Sequence, residues 1–109
     1  MAQWEKLLRS SGFNESEANL YLTSLEMGPS PVQEIAKKAK VSRVTAYAAI
    51  EKLNEFGLMS TVQRNKKHLY AVESPERLVS FVSGRIQEMR ATFEEIKDSV
   101  SELKLMARI

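Results

Sequence analysis

The stretch from Ser42 to Gly57 constrains the fold most, because its residue pattern is typical of a helix with two different faces. The Ser42 hydroxyl can accept a hydrogen bond from a backbone N–H of the first turn, and Gly57 can supply the left-handed residue that ends a helix. Between them, apolar residues recur at spacings of three and four, as on one side of a helix. They are Ala46, Ala49, Ile50, Leu53 and, at the end, Phe56. The pattern predicts a helix over residues 42–57 that packs this apolar face against other elements.

The opposite face of this two-faced helix carries side chains that suit contact with nucleic acid. Arginine donates hydrogen bonds to guanine, hydroxyl groups bond to base edges, and small apolar groups contact the thymine methyl. Such groups fill the first two turns, which contain Arg43, Val44, Thr45, Tyr47 and Ala48. The glutamates, Glu51 and Glu55, lie in the second half, away from where phosphates would lie. For this helix alone, an ordinary surface helix with an unrelated polar face is an equal alternative.

Positive charge is concentrated around the two-faced helix, although the whole chain of 109 residues has a net charge of only +2. Residues 36–67 contain eight basic and two acidic side chains, a net charge of +6, whereas residues 1–35 and 68–109 have net charges of −3 and −1. A solvated lysine face is the alternative explanation. The clustering on both sides of the helix favours a site for a polyanion, with nucleic acid as the partner.

Three shorter helices are predicted before the two-faced helix. The first covers residues 2–10, and the second covers residues 15–27 after a capping box that begins at Asn14. The third is short and begins with Ser30 as its N-cap and Pro31 as its first helical residue. Only a few residues separate it from the two-faced helix. Two helices joined by so tight a turn are typical of a helix-turn-helix.

The residue pattern changes to that of a β-hairpin after the two-faced helix. Residues 58–63 and 67–72 are predicted as strands, and residues 64–66 as a turn in which Asn65 can take a left-handed conformation. The tip of this hairpin is too polar for a core and suits phosphates or a minor groove. A hairpin directly after a helix-turn-helix is a wing. The predicted contacts at the wing tip are Arg64, Asn65, Lys66 and Lys67.

A heptad pattern dominates the end of the chain. Ser74 and Pro75 predict the start of one long helix that runs to Ile109, in which Gly84 could mark a bend. Apolar residues recur along it at alternating spacings of three and four. We call these residues the seam: Val79, Val82, Ile86, Met89, Phe93, Ile96, Val100 and Leu103. A helix of about 35 residues would be roughly 50 Å long, so the seam needs a partner, and a second copy of the chain is the simplest one. A helix folded back onto its own domain is the alternative.

The sequence contains no recognisable catalytic or metal-binding set. The single histidine, His68, is typical of a surface residue, and Glu94, Glu95 and Asp98 are typical of a solvated acidic face. There is no cysteine and no glycine-rich phosphate loop. We therefore expect a protein that is not an enzyme and that holds no metal or cofactor. The absence of a secretion leader and of an apolar run of about 20 residues predicts a cytoplasmic protein without a membrane partner.

The order of four helices, a hairpin and a long helix predicts a mainly α (α+β) fold. We expect a winged helix-turn-helix DNA-binding domain over residues 1–74 and a C-terminal coiled-coil dimerisation helix over residues 75–109. More closely, the chain resembles the N-terminal DNA-binding domain of the TrmB family of archaeal-type transcriptional regulators. The matching stretches are residues 12–22, 28–30, 34–36, 41–47 and 53–58. The first of these separates the chain from MarR-like winged helices in general.

The resemblance implies sequence-specific binding of double-stranded DNA by a homodimer that represses or activates promoters. It places Ser42, Arg43, Val44, Thr45, Tyr47 and Ala48 in the major groove, and residues 58–72 on the backbone or minor groove. Ser30 and Gln33, at the start of the third helix, complete the predicted DNA-binding set. Many TrmB regulators carry a large C-terminal domain that binds sugars. Because this chain ends after one helix, a sugar effector is not carried over, and any small-molecule effector is unknown.

A protein-interaction module is the alternative function. Winged helices also occur as scaffold subunits of transcription complexes, and the last helix could pair with a different chain. In that case DNA binding would be weak or absent, and the isolated chain would be a monomer or unstable alone.

Overall fold

The computed structural model describes residues 2–108 and confirms the predicted winged helix-turn-helix. In chain order, its elements are α1 Ala2–Ser10, α2 Glu15–Met27, α3 Val32–Ala39, α4 Arg43–Glu55, β1 Met59–Arg64, β2 Lys67–Val72, α5 Glu76–Asp98 and α6 Val100–Ala107. The two strands form an antiparallel hairpin. The chain falls into two compact units, one that extends to Leu78 and one that begins at Val79. No helix within residues 2–108 combines the length and apolar character needed to cross a membrane.

The core of the first unit lies where α2 packs against α3 and α4. The apolar face predicted for the two-faced helix faces this core. Full burial of side chains such as Ile50 or Leu53 contributes about 1.5–3 kcal/mol each, which fixes the rotation of α4 about its axis. The opposite face of α4 is exposed as a consequence. The buried residues of the face are Ala46, Ala49, Ile50 and Leu53, and Phe56 is half-buried.

The start of α2 and the end of α4 are capped as predicted. The backbone N–H of Glu17 donates to Asn14 Oδ1 at 2.7 Å, and the Glu17 carboxylate accepts from the Asn14 N–H at 2.9 Å, so the capping box is complete. At the end of α4, Gly57 has a φ of 77°. The Leu58 N–H donates to the Leu53 carbonyl at 2.9 Å, which closes a Schellman motif and directs the chain into β1.

The start of α3 differs from the prediction. Pro31, not Ser30, is the N-cap, because the Pro31 carbonyl accepts the first helical hydrogen bonds, from Glu34 and Ile35. Ser30 instead forms an isolated β-bridge with Tyr70 of the wing, with N···O distances of 3.1 and 2.9 Å. The bridge ties β2 to the segment before α3.

The turn between α3 and α4 depends on a lysine in a left-handed conformation. Lys40 has a φ of 61°, its N–H donates to the Lys37 carbonyl, and the Val41 N–H donates to the Ala36 carbonyl at 3.0 Å. This is again a Schellman motif, with Lys40 at the position that glycine usually occupies. A residue with a Cβ atom pays roughly 1–2 kcal/mol in this conformation.

We therefore expect Lys40→Gly to raise the free energy of unfolding by about 1 kcal/mol, since the relief of strain is partly offset by a more flexible unfolded chain. Urea unfolding of the purified protein measures this. Lys38→Gly is the matched control, because the same change inside α3 should lower stability by up to about 1 kcal/mol. Equal destabilisation by both changes would contradict the assigned turn.

The single long helix predicted at the end of the chain is present as two helices. Helix α5 passes through Gly84 without interruption, but Ser99 separates it from α6. The Ser99 N–H donates to the carbonyls of both Glu95 and Ile96 at 3.0 Å, so the helix tightens locally before it resumes. The predicted end at Ile109 lies outside the described residues.

The seam residues lie on α5 and α6 with their side chains largely exposed. Phe93 is 57% exposed, Ile96 is 55% exposed and Met89 is 66% exposed. Val82 is half-buried. In the second unit taken by itself, most of this apolar surface is therefore uncovered.

Candidate nucleic-acid interface

The first two turns of α4 form an exposed surface that contains all the groove-facing residues predicted from the sequence. Val44 is 79% exposed and Tyr47 is 47% exposed. Ser42, Arg43 and Ala48 are also exposed, and Thr45 is half-buried. A cation, two hydroxyl groups, a phenol and two small apolar groups therefore share one surface. We call these six residues, Ser42 to Thr45 with Tyr47 and Ala48, the α4 face.

Ser42 organises the start of the α4 face. Its Oγ accepts a hydrogen bond from the Thr45 N–H at 3.0 Å and donates one to Thr45 Oγ1 at 2.9 Å. The two hydroxyl groups share this bond, which uses one of their two protons. The other proton has no further acceptor within residues 2–108, so it remains available to a base or a phosphate. Ser42 therefore caps the helix and orients Thr45.

Arg43 is held by a side chain from the preceding helix. Its Nη2 donates to Gln33 Oε1 at 2.8 Å, which links the first turns of α3 and α4. Among the described residues, no carboxylate lies within 4.0 Å of the Arg43 guanidinium. The guanidinium is thus oriented by a neutral acceptor, and no described carboxylate offsets its charge.

An aromatic contact joins the α4 face to the wing. The rings of Tyr47 and Tyr70 meet edge to face, with centroids 6.4 Å apart and planes at 89°. Burial, and to a smaller extent Tyr47, raises the pKa of the Tyr70 hydroxyl above its usual 10.0, so this phenol is neutral at physiological pH. The sequence did not point to Tyr70, because its contact with Tyr47 exists only once β2 has been placed beside α4.

The wing tip is a tight turn that brings cations together. Arg64 pairs with Lys67 at the end of the hairpin, so the loop has two residues, Asn65 and Lys66. Their φ angles of 50° and 64° are those of a type I′ turn. The left-handed conformation expected for Asn65 is confirmed, and Lys66 shares it. All four side chains of the wing tip are exposed.

Ser30 does not lie on this surface as predicted, because it is buried. Ser30 is only 6% exposed, and its hydroxyl donates to the Gly28 carbonyl at 3.0 Å. Of the two residues predicted at the start of α3, only Gln33 is exposed. Ser30 has a structural role, in which it anchors the wing through Tyr70.

Together, the tight turn between α3 and α4 and the hairpin that follows define a winged helix-turn-helix. Residues 8–76, well over half of the chain, match the model of the family described as sugar-specific transcriptional regulator TrmB. The chain belongs to the TrmB family. Its family is therefore one of transcriptional regulators, not of enzymes.

Solved structures show the same fold at low sequence identity. TrmBL2, described as an archaeal chromatin protein with a novel mode of DNA binding, is 24% identical with a TM-score of 0.80; the match covers 98% of this chain but only 43% of TrmBL2. The ST1889 protein from the archaeon Sulfolobus tokodaii is 21% identical with a TM-score of 0.63, over 75% of this chain and 85% of that protein. A MarR-family regulator from Silicibacter pomeroyi is 16% identical with a TM-score of 0.59, over 99% and 80% of the two chains. No curated protein sequence matches the chain.

Proposed function

We propose that the chain is a sequence-specific regulator that binds double-stranded DNA as a homodimer. The observation that carries the proposal is the α4 face, in which Gln33 orients Arg43, no described carboxylate offsets the Arg43 charge, and the Ser42–Thr45 hydroxyl pair keeps one proton for DNA. The α4 face would enter the major groove, where arginine recognises guanine and small apolar groups contact thymine. TrmBL2, whose fold is similar, is described as binding DNA.

The wing would contact the DNA backbone or the minor groove beside the α4 face. Its tip carries three cations, Arg64, Lys66 and Lys67, and none of them has a carboxylate within 4.0 Å among the described residues. Cations of this kind neutralise phosphates and release counterions, which adds affinity without sequence information.

The seam would pair two copies of the chain as a coiled coil. Seven of its eight residues are exposed in the single chain, which leaves an apolar surface for a partner of the same pattern. In this proposal residues 1–74 bind DNA and residues 75–109 dimerise. The two α4 faces would then reach half-sites separated by about 34 Å or a multiple of it. A cytoplasmic location is part of the same proposal, since such a regulator acts on promoter DNA.

Selection of bound sites from random DNA tests the proposal, combined with light scattering of the isolated chain. We expect a dimer and a site with two related half-sites. A monomer that enriches no sequence would contradict the proposal and would favour the protein-interaction module instead.

Lys66→Gln should weaken binding to all DNA sequences alike and reduce the slope of log affinity against log salt concentration by about one unit, since one phosphate contact is lost. Glutamine keeps a side chain of similar length in the same left-handed turn. Lys6→Gln on α1 removes an exposed cation far from the wing in sequence and should leave the slope unchanged. Fluorescence anisotropy with a labelled duplex at several salt concentrations measures both. Equal slopes for the wild-type and Lys66→Gln proteins would remove Lys66 from the interface.

A further inference from the structure

The hydrogen bond between Arg43 and Gln33 orients the guanidinium of Arg43, which a simple contact with a phosphate does not require. It joins two exposed side chains on different helices, with Nη2 of Arg43 only 2.8 Å from Oε1 of Gln33. Both residues lie in the first turns of their helices, and the Schellman motif at Lys40 fixes the turn between those helices. The backbone positions that carry the donor and acceptor side chains are therefore fixed relative to each other.

We infer that Gln33 is a positioning residue that sets the orientation of Arg43 and so determines specificity at one base pair. This inference rests on the proposed function. A phosphate oxygen accepts a hydrogen bond from many directions, whereas paired donation to guanine O6 and N7 needs the guanidinium plane in one orientation. One of the five guanidinium N–H groups is used by Gln33, and four remain for DNA.

The neutrality of Gln33 matters for this role. A carboxylate at the same place would also orient Arg43, but it would offset its charge and repel nearby phosphates. The glutamine amide accepts from Arg43 and keeps two N–H donors, which can themselves bond to a phosphate. Gln33 therefore orients a base-reading cation without opposing the attraction between the protein and DNA.

The test compares binding of single-base variants of the selected site by the wild-type, Arg43→Ala, Gln33→Leu, Gln33→Glu and doubly changed proteins. The base pair read by Arg43 is the one that Arg43→Ala no longer distinguishes. The discrimination ratio is the affinity for the selected base pair divided by the affinity for a substituted one. At the base pair read by Arg43, Gln33→Leu should lower this ratio about three- to tenfold, because Arg43 must then be immobilised at the moment of binding. In the Arg43→Ala protein, the same change should have no further effect on the ratio. Gln33→Glu should keep the ratio and weaken binding to every duplex, most strongly at low salt.

Several outcomes would overturn the inference without touching the proposed function. One is a Gln33→Leu protein with the wild-type discrimination ratio, and another is a Gln33→Leu protein whose discrimination falls equally at every base pair. A loss that persists in the Arg43→Ala protein would make Gln33 an independent contact. An Arg43→Ala protein that discriminates at every base pair as the wild type does would instead count against both the inference and the major-groove role of the α4 face, because Arg43 would then read no base. If the wild-type chain selects no site at all, it is the proposed function that fails. Because Gln33 is exposed, all variants should unfold at the wild-type urea concentration, which serves as the folding control.

Discussion

Arg43→Ala is expected to weaken binding to the selected DNA site by about 1–3 kcal/mol, with a much smaller effect on unrelated DNA. The physical reason is that a paired contact between a guanidinium and guanine is lost, and the guanine acceptors are left without donors in the groove. The loss should be concentrated at one base pair of each half-site. Fluorescence anisotropy with the selected duplex and its single-base variants measures both quantities.

The matched control for this change is Arg9→Ala. Arg9 is an exposed arginine on α1, outside the α4 face and the wing tip. The Arg9→Ala change removes the same charge as Arg43→Ala and should reduce affinity for all duplexes equally or not at all. If Arg43→Ala behaves in the same way as Arg9→Ala, then Arg43 contributes only charge, and the major-groove role of the α4 face would be wrong.

The parts of the interface that depend on local sequence could be predicted. The rotation of α4 follows from an apolar face with helical spacing, and buried residues such as Leu53 fix that rotation. The helix ends follow from capping chemistry at Asn14, Ser42 and Gly57, all of which the structure contains as expected. The wing follows from a change of pattern and a turn residue, Asn65, that tolerates a positive φ.

Contacts between elements could not be predicted from the same patterns. The bridge from Ser30 to Tyr70 joins residues 40 positions apart and replaces the N-cap that Ser30 was expected to provide. The distance between Arg43 and Gln33 depends on the left-handed conformation of Lys40, a residue type that rarely marks such a turn. These contacts arise from tertiary packing: one orients Arg43 of the α4 face, and the other holds Tyr70, whose ring contacts Tyr47.

The interruption at Ser99 was missed for a different reason. A heptad pattern records only which positions are apolar, and the seam keeps its spacing across the break. The residue type does not mark the break either, because Ser80 and Ser83 lie inside α5 without an interruption and the Ser99 side chain makes no capping hydrogen bond. The seam therefore predicts an interface better than it predicts the continuity of the helix that carries it.

Phe93→Glu is expected to dissociate the proposed homodimer and, with it, the tight binding of a site with two half-sites. Phe93 is 57% exposed in the single chain and lies at the middle of the seam, next to Met89 and Ile96 in the same stripe. Full burial of such a side chain is worth about 1.5–3 kcal/mol, and a homodimer contains two copies. Since more than half of each side chain remains to be covered, the lost burial alone should weaken the dimer by at least about 2 kcal/mol. Two carboxylates in an apolar interface add a further desolvation cost. The dissociation constant should therefore rise at least about 30-fold.

Sedimentation equilibrium of the wild-type and Phe93→Glu proteins measures the dissociation constant of the dimer directly. Gln87→Glu is the control, because it adds the same charge to an exposed residue of α5 outside the seam.

The Phe93→Glu change also separates dimerisation from DNA contact. A monomeric Phe93→Glu protein keeps both the α4 face and the wing tip, so it should still bind a single half-site weakly and with the wild-type preference for the base read by Arg43. Loss of affinity without loss of that preference would locate the defect in pairing. If Phe93→Glu remains as tightly dimeric as Gln87→Glu, then the seam is not the contact between copies, and the spacing of the half-sites must be set by another surface.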